Sequence, residues 1–527
     1  MSPASSTSGP GSASTTTTNK GTVPSMTLHT HPQNIQDYEN YFHRHLPLSI
    51  IRDFHQRTQR PHAPVPSGAP IESLVTEAQA EAVAEWCDSQ ILLWLPFLPS
   101  AVSLRHLRNS SFNSPSLRFL ECAQYLIAAQ FGAINLDPAK AHEIRGICRD
   151  CLADTLFAPL DDFAPVVLVM TCALTVEGAG TSDAGAMGLL ARQCTMRKTG
   201  DLSLSDRILE VLTATWQCVS VVGDDDLIHQ PRAHRSLVLP TPGELEQLLE
   251  DIDKSRNEFS ETNRNGAVGA VLRCRSWIMA RETIEAISRL DPGDEDKQLA
   301  ALQEVKDNWT AAIRPHITRC RQLITAPSLL SWLEVEMHAL DSIVCDSILH
   351  YSLGNRWTPR YIFGLTKGEL GSKNLQEFIA DKHGPAASNA AQSLLAALTN
   401  LPGPSEYIYP APLTCAFILK AALTAVEVHA SSFKLWQSQP AREAVWTSLL
   451  RSVQDMAEKL KGGSTVPMTI SVMTTIRDTI SKWKAELGRP SVLADPTWVS
   501  LGGPSVCPVL QSLEELMSTI DWDHLVM

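Results

Sequence analysis

The sequence predicts an all-α protein, with a large multi-helix domain between a disordered N-terminal segment and a short acidic C-terminal tail. Apolar residues recur at three- and four-residue spacing through most of residues 34–487, which is the period of an amphipathic helix. The alternation of apolar and polar residues that is typical of half-buried strands does not persist in any segment. Several periodic runs open with Ser, Asp or Pro and close with Gly, as helix termini favour.

The first 33 residues are rich in Ser, Thr, Gly and Pro. Such a composition buries too little apolar surface to offset the entropy of ordering, so we predict that residues 1–33 are disordered. The segment also lacks the charged and apolar regions of a signal peptide. We therefore interpret the 12 cysteines of the chain as reduced thiols in helical cores.

The helical domain is predicted to span residues 34–487, in halves of about 34–222 and 244–487 joined by a polar connector. Each predicted helix is a run of helix-forming residues with helical apolar spacing. The predicted segments of the first half are 34–56, 76–98, 114–134, 138–160, 161–180, 182–198 and 205–222. Those of the second half are 244–291, 297–324, 328–353, 372–401, 413–437, 440–461 and 465–487. Gly- and Pro-rich residues 488–509 are predicted to form a linker.

Charge and cysteine spacing bear on nucleic-acid binding. The formal net charge is −13, whereas a protein that grips phosphates over a wide surface usually carries a basic excess. A binuclear zinc cluster needs six closely spaced cysteines, and the closest pair here is Cys148 and Cys151 in a predicted helix. The sequence thus argues against direct DNA binding, and we predict no metal ligands.

Motifs of catalysis are equally sparse. The sequence contains no P-loop, GxSxG or HExxH pattern. Asp161–Asp162 and Asp224–Asp226 are followed by FAPV and LIHQ, which supply no further acid for the DDxxD-type magnesium motif of helical terpene cyclases. We therefore predict no catalytic residues, no cofactor-binding residues and no cofactor, and we expect the protein not to be an enzyme. The longest apolar run, Phe163 to Val176, is shorter than the ~20 residues that cross a bilayer, so no membrane partner is expected.

The C-terminal tail, residues 510–527, interleaves bulky apolar residues with acids. This alternation is typical of activation segments that dock as amphipathic helices on coactivator grooves. The alternative, a last helix that packs onto the domain, stays open. The candidate activation residues are Leu513, Leu516, Met517, Ile520, Trp522 and Leu525.

Several helical segments resemble the middle homology domain of fungal transcription factors. "YENYFHRHLPLSIIRDF" (38–54) resembles the opening helix of that family, with aromatic residues before a proline. In 161–198, an apolar helix ends in a Gly-containing turn, and the next helix carries Ala191, Arg192 and Cys194 near the position of a family pattern. Further segments similar to family helices are 114–133, 139–156, 334–355 and 386–426. The resemblance covers roughly residues 35–460.

The resemblance implies nuclear localisation, gene regulation, frequent homo- or heterodimerisation and no established catalytic residue. That domain normally follows a zinc-cluster DNA-binding module, yet the first 43 residues contain a single Lys or Arg, Lys20. We therefore expect a fungal transcriptional regulator or coregulator, held at promoters by a DNA-binding transcription factor or coactivator. The alternative is that this sequence lacks an upstream DNA-binding module that belongs to the full gene. Such regulators also fit pathway-specific control of metabolite gene clusters in secondary metabolism.

Two alternatives from other classes remain. The first is an all-helical enzyme with no recognisable motif, which would reveal itself by a deep pocket lined by acids or by a nucleophile–base pair. The second is a helical scaffold or adaptor with no transcriptional role, which a distribution away from chromatin would favour.

Overall fold

The computed structural model describes most of the chain between residues 71 and 401. The described residues are 71–110, 114–157, 162–173, 202–222, 239–290, 295–352, 373–401, Phe417, Ala421 and Thr424. Of these described residues 84% are helical and none is in a strand, which confirms the predicted all-α class. The predicted N-terminal segment, the linker, the C-terminal tail and the helices at 34–56, 182–198, 413–437, 440–461 and 465–487 lie largely or wholly outside the described residues.

The described part of the chain contains 12 α-helices and one 3-10 turn, Ile91–Leu93. The helices of the first half are α1 (Ile71–Leu74), α2 (Glu77–Gln90), α3 (Ala101–Ser110), α4 (Pro115–Gln130), α5 (Pro138–Phe157), α6 (Ala164–Ala173) and α7 (Leu204–Val222). Those of the second half are α8 (Pro242–Lys254), α9 (Glu261–Ser288), α10 (Glu295–Leu323), α11 (Pro327–Ser352) and α12 (Lys373–Thr399). Among these helices none combines the length and the apolar character needed to cross a membrane.

Local side-chain caps set where several helices begin. Thr76 and Gln79 form a capping box at α2, in which each side chain binds the backbone N–H of the other. Thr241 and Glu244 form the same motif at α8, with Pro242 in the first turn. Ser114 caps α4 directly before a proline. Ser114 before Pro115 confirms one of the Ser- and Pro-based starts that the sequence predicts, whereas α8 begins at Pro242, inside the predicted connector.

Residues 244–291, which the sequence predicts to be helical, form two helices with a break between them. α8 ends after Lys254, where the Ser255 N–H turns back to the carbonyls of Asp251 and Asp253. α9 starts afresh after Ser260, whose hydroxyl accepts from the Asn263 N–H. The break carries neither Gly nor Pro, so apolar spacing alone did not reveal it.

Helix α9 lies at the centre of the described fold. It packs against α2, the 3-10 turn, α7, α8, α10 and α11. Two glycines on α9 allow close approach: a Cβ at Gly266 would stand 2.0 Å from the Leu92 carbonyl oxygen, and one at Gly269 would stand 2.9 Å from the Leu329 side chain. Asn263, one turn earlier, accepts a 2.8 Å hydrogen bond from the N–H of Phe97, whose φ of 67° is left-handed.

Four tryptophans are fully buried among these helices, namely Trp94, Trp277, Trp309 and Trp332. Such side chains contribute the largest apolar areas to a core. They concentrate on α9, α10, α11 and the turn after α2. The same helices also carry buried charged and polar side chains.

Candidate functional site

The most buried ion pair among the described residues lies between α9 and α11. Arg273 donates from Nε and Nη2 to the two carboxylate oxygens of Glu336, both at 2.7 Å. The Arg273 side chain is 3% exposed and that of Glu336 is 0% exposed. A buried charge is tolerated when it is paired and hydrogen-bonded, and this two-point geometry meets both conditions.

Aromatic rings surround this ion pair. The Arg273 guanidinium lies 4.9 Å from the centroid of the Trp94 ring, at cation–π distance. Trp94 meets Trp332 edge-on at 5.5 Å between centroids. We call Trp94, Arg273, Trp332 and Glu336 the charged core. Phe417 extends it by stacking on Trp332 at 6.2 Å.

A second polar group lies where α9 meets α10. The Ser276 hydroxyl stands 2.8 Å from His316 Nε2, and the same nitrogen lies 3.1 Å from the Leu272 carbonyl oxygen. Cys320, one turn along α10, has its Sγ 3.8 Å from this nitrogen. Ser276 is 0% exposed and His316 is 4% exposed. We call Ser276, His316 and Cys320 the histidine cluster.

Burial governs the protonation of the histidine cluster. Desolvation, followed by the nearby Arg275 charge, lowers the pKa of His316 to about 4. Desolvation also raises the pKa of the Cys320 thiol to about 12. At neutral pH the cluster is therefore an uncharged imidazole beside an uncharged thiol.

Ser276 and His316 lie at the distance of a catalytic nucleophile and its base. The other features of a catalytic site, an oriented base and access for substrate, are not present at this cluster in the part of the chain that the structure describes. The Ser276 hydroxyl is committed to the Leu272 carbonyl at 2.9 Å. Among the described residues His316 Nδ1 has no hydrogen-bond partner, whereas a catalytic base is oriented through that nitrogen. Both side chains are buried, so a substrate cannot reach the hydroxyl in this conformation. In the described conformation the cluster acts as a polar core contact.

A third polar group, about one-third exposed, joins α8, α9 and α10 close enough to His316 to shift its pKa. Arg319 of α10 binds both carboxylate oxygens of Glu246, with 2.5 Å from Nη1 to Oε1. Arg275 of α9 binds the same carboxylate through Nη1. These hydrogen bonds and charges, led by the bond from Arg319, lower the pKa of Glu246. We call Arg275, Arg319 and Glu246 the arginine pair cluster.

The cysteine pair considered for metal binding lies inside the fold. Cys148 and Cys151 are buried on α5, and burial raises the pKa of the Cys148 thiol well above its usual value. Thiols bind metal as thiolates, so this environment disfavours ligation. Throughout the described ranges no group of three or more His, Cys, Asp or Glu side chains could hold a metal ion.

The charged core was not among the predicted sites, although the sequence carries a faint signal for it. Arg273 interrupts the run "AVLRCRSWIMA", and Glu336 interrupts "SWLEVEMHAL". A charge in an otherwise apolar helix face is rarely buried unless it is paired. The two residues are 63 positions apart, so the sequence did not indicate which partner each one has.

The candidate activation residues, Leu513 to Leu525, lie outside the described residues, so the structure brings none of them to these clusters. Comparison of the chain with protein-family models, curated proteins and solved structures gave no match. The functional interpretation therefore depends on the residues and geometry of this chain.

Proposed function

We propose that this chain is a nuclear transcriptional regulator or coregulator that acts through partner proteins. Its helical body serves as a scaffold, and a DNA-binding transcription factor or coactivator holds it at promoters. The proposal extends to pathway-specific control, such as that of a metabolite gene cluster, and to an activation role for the tail at residues 510–527.

One observation carries the proposal: two polar side chains at the centre of α9 bind partners on neighbouring helices inside an all-helical body. Arg273 binds Glu336 of α11, and Ser276 contacts His316 of α10. The charged core and the histidine cluster are both sealed from solvent. Polar groups in this state fix how helices pack, which is the role expected of a rigid regulatory scaffold. The segment resemblance to the fungal regulatory domain supports the same role.

Chromatin immunoprecipitation of the tagged protein tests the proposal, paired with binding of the purified chain to the recovered DNA. We expect enrichment at promoters without direct DNA affinity, which is the behaviour of a recruited coregulator. Enrichment with direct, salt-sensitive binding would assign the chain its own DNA-binding surface. Lack of enrichment at every promoter would reject the transcriptional role and favour a scaffold or adaptor elsewhere in the cell.

The tail is tested separately by tethering the chain to a reporter promoter. Deletion of residues 510–527 should abolish activation while the body stays folded. The matched control replaces Glu514, Glu515, Asp521 and Asp523 by their amides and keeps every apolar residue. Reporter output that the deletion leaves unchanged would remove the activation role from the tail.

A further inference from the structure

The arginine pair cluster has more positive charge than its own carboxylate can balance. Two guanidinium groups converge on the single carboxylate of Glu246. The three side chains are about one-third exposed, at 32% for Arg275, 34% for Arg319 and 37% for Glu246. The cluster is therefore reachable from solvent, unlike the buried charged core.

Neither arginine has a second acid on its own helix to share. The positions three and four residues from an arginine are the ones that face it along a helix. For both arginines these positions carry no carboxylate: they are Val271, Leu272, Ile278, Met279, Pro315, His316, Gln322 and Leu323. Glu250, one turn beyond Glu246 on α8, lies 3.9 Å from Lys254.

The end of α9 offers a comparison. Arg281 and Arg289 also share one carboxylate, Glu285, through 2.8 Å contacts. There, however, the Arg281 side chain is only 10% exposed, so only Arg289 of that pair is open to solvent. Two solvent-accessible guanidinium groups on one carboxylate thus distinguish the arginine pair cluster from this site, in a chain whose net charge is −13.

We propose that Arg275 and Arg319 are a docking point for an acidic segment of a partner protein. Glu246 occupies this point in the free chain and is displaced, or shares the arginines, when a partner carboxylate arrives. Arginine suits this role because its planar fork binds carboxylates at two points. The site is locally positive although the chain as a whole is acidic. The occupant that complements this charge is an acidic peptide. The inference does not depend on a transcriptional role.

The test uses the full chain and a fluorescein-labelled hexaglutamate peptide, measured by anisotropy near physiological ionic strength. At that salt the Debye length is about 8 Å, so the net negative charge of the chain repels the peptide little beyond the site itself. We expect Arg275→Gln and Arg319→Gln each to weaken binding by up to about fivefold, the range of an exposed charge pair. Glu246→Gln should strengthen binding by a similar factor, since it frees both arginines.

Arg289→Gln is the matched control, because it removes an exposed arginine directly after α9 that also pairs with a glutamate. It should leave peptide binding unchanged, and circular dichroism should show that all variants stay folded. Equal weakening by Arg289→Gln, or loss of binding on Glu246→Gln, would overturn the proposal. So would failure of both the wild type and Glu246→Gln to bind the peptide. Displacement of the peptide by inorganic phosphate at equal concentration would mean a general anion site and would also reject it.

Discussion

Arg273 and Glu336 join α9 to α11 through two parallel 2.7 Å hydrogen bonds, and the Arg273 guanidinium lies over the Trp94 ring. A buried ion pair contributes little net stability by itself, because desolvation of both charges offsets their attraction. Loss of one partner is different, since the other charge is then buried without compensation. The pair therefore fixes the register of the two helices more than it adds to the free energy of folding.

Glu336→Gln should lower the free energy of unfolding by about 3–5 kcal/mol, since it leaves the Arg273 charge buried without a counter-charge. The double variant Arg273→Met/Glu336→Leu should be much closer to the wild type, because it removes both charges and keeps apolar volume. Urea denaturation of the two variants makes the comparison. Equal destabilisation by the single and the double change would contradict the pairing.

Gly266→Ala should destabilise the protein by about 1–3 kcal/mol or more, the usual range for overpacking. Its Cβ would stand 2.0 Å from the Leu92 carbonyl oxygen, so α9 would have to move from the 3-10 turn. Gly243→Ala on α8 is the control, because its Cβ would meet no atom within 4 Å. That change should be neutral or stabilise by about 0.4–1 kcal/mol through the unfolded chain. Thermal unfolding of both variants checks the contrast, and equal shifts would be inconsistent with the close contact.

His316 should make stability depend on acid pH. Its pKa is about 4 in the folded chain against an ordinary value of 6.5, so the unfolded chain binds the proton first. Its contribution is fully present above pH 6.5 and is lost as pH falls towards 4, by about 3 kcal/mol in total. Arg275 and Arg319 strengthen this effect and Glu246 opposes it.

The measurement is urea denaturation of wild type and His316→Leu at pH 7 and at pH 4.5. Acidic side chains titrate in both proteins, so the difference between the two isolates the histidine. The stability difference should move in favour of the leucine variant on acidification. A difference that stays constant across this range would mean that His316 is protonated as easily in the fold as outside it.

The eight cysteines whose side chains the structure describes should resist thiol reagents in the native protein. All eight are buried: Cys87, Cys122, Cys148, Cys151, Cys218, Cys274, Cys320 and Cys345. The thiolate is the reactive species, and burial raises the pKa of Cys320 and Cys345 to about 12. A variant with Cys172, Cys194, Cys415 and Cys507 changed to Ser retains only these eight. Its reaction with Ellman's reagent should be slow until denaturant is added, and prompt native reaction would contradict the described burial.

The sequence by itself determined the helical class and the position of many helix ends. Two examples of helix starts are the capping box of Thr241 with Glu244 and the N-cap Ser114 before Pro115. The residues of each motif lie within four positions of each other, so such motifs can be recognised in the sequence alone. The apolar spacing that predicts a helix also depends only on residues three and four positions apart. Where a local signal was weak, as between Lys254 and Ser260, the sequence prediction missed the break.

Only the tertiary structure decided which distant side chains meet. Arg273 and Glu336 are 63 residues apart, and Arg319 and Glu246 are 73 apart. Helix spacing tells which face a residue occupies, but the packing of α8, α10 and α11 around α9 decides its partner. The small side chains of Gly266 and Gly269 permit that packing, because they let neighbouring helices and turns come close to α9. The sequence thus determines each helix through short-range contacts, whereas the clusters arise from contacts that exist only once the helices have packed.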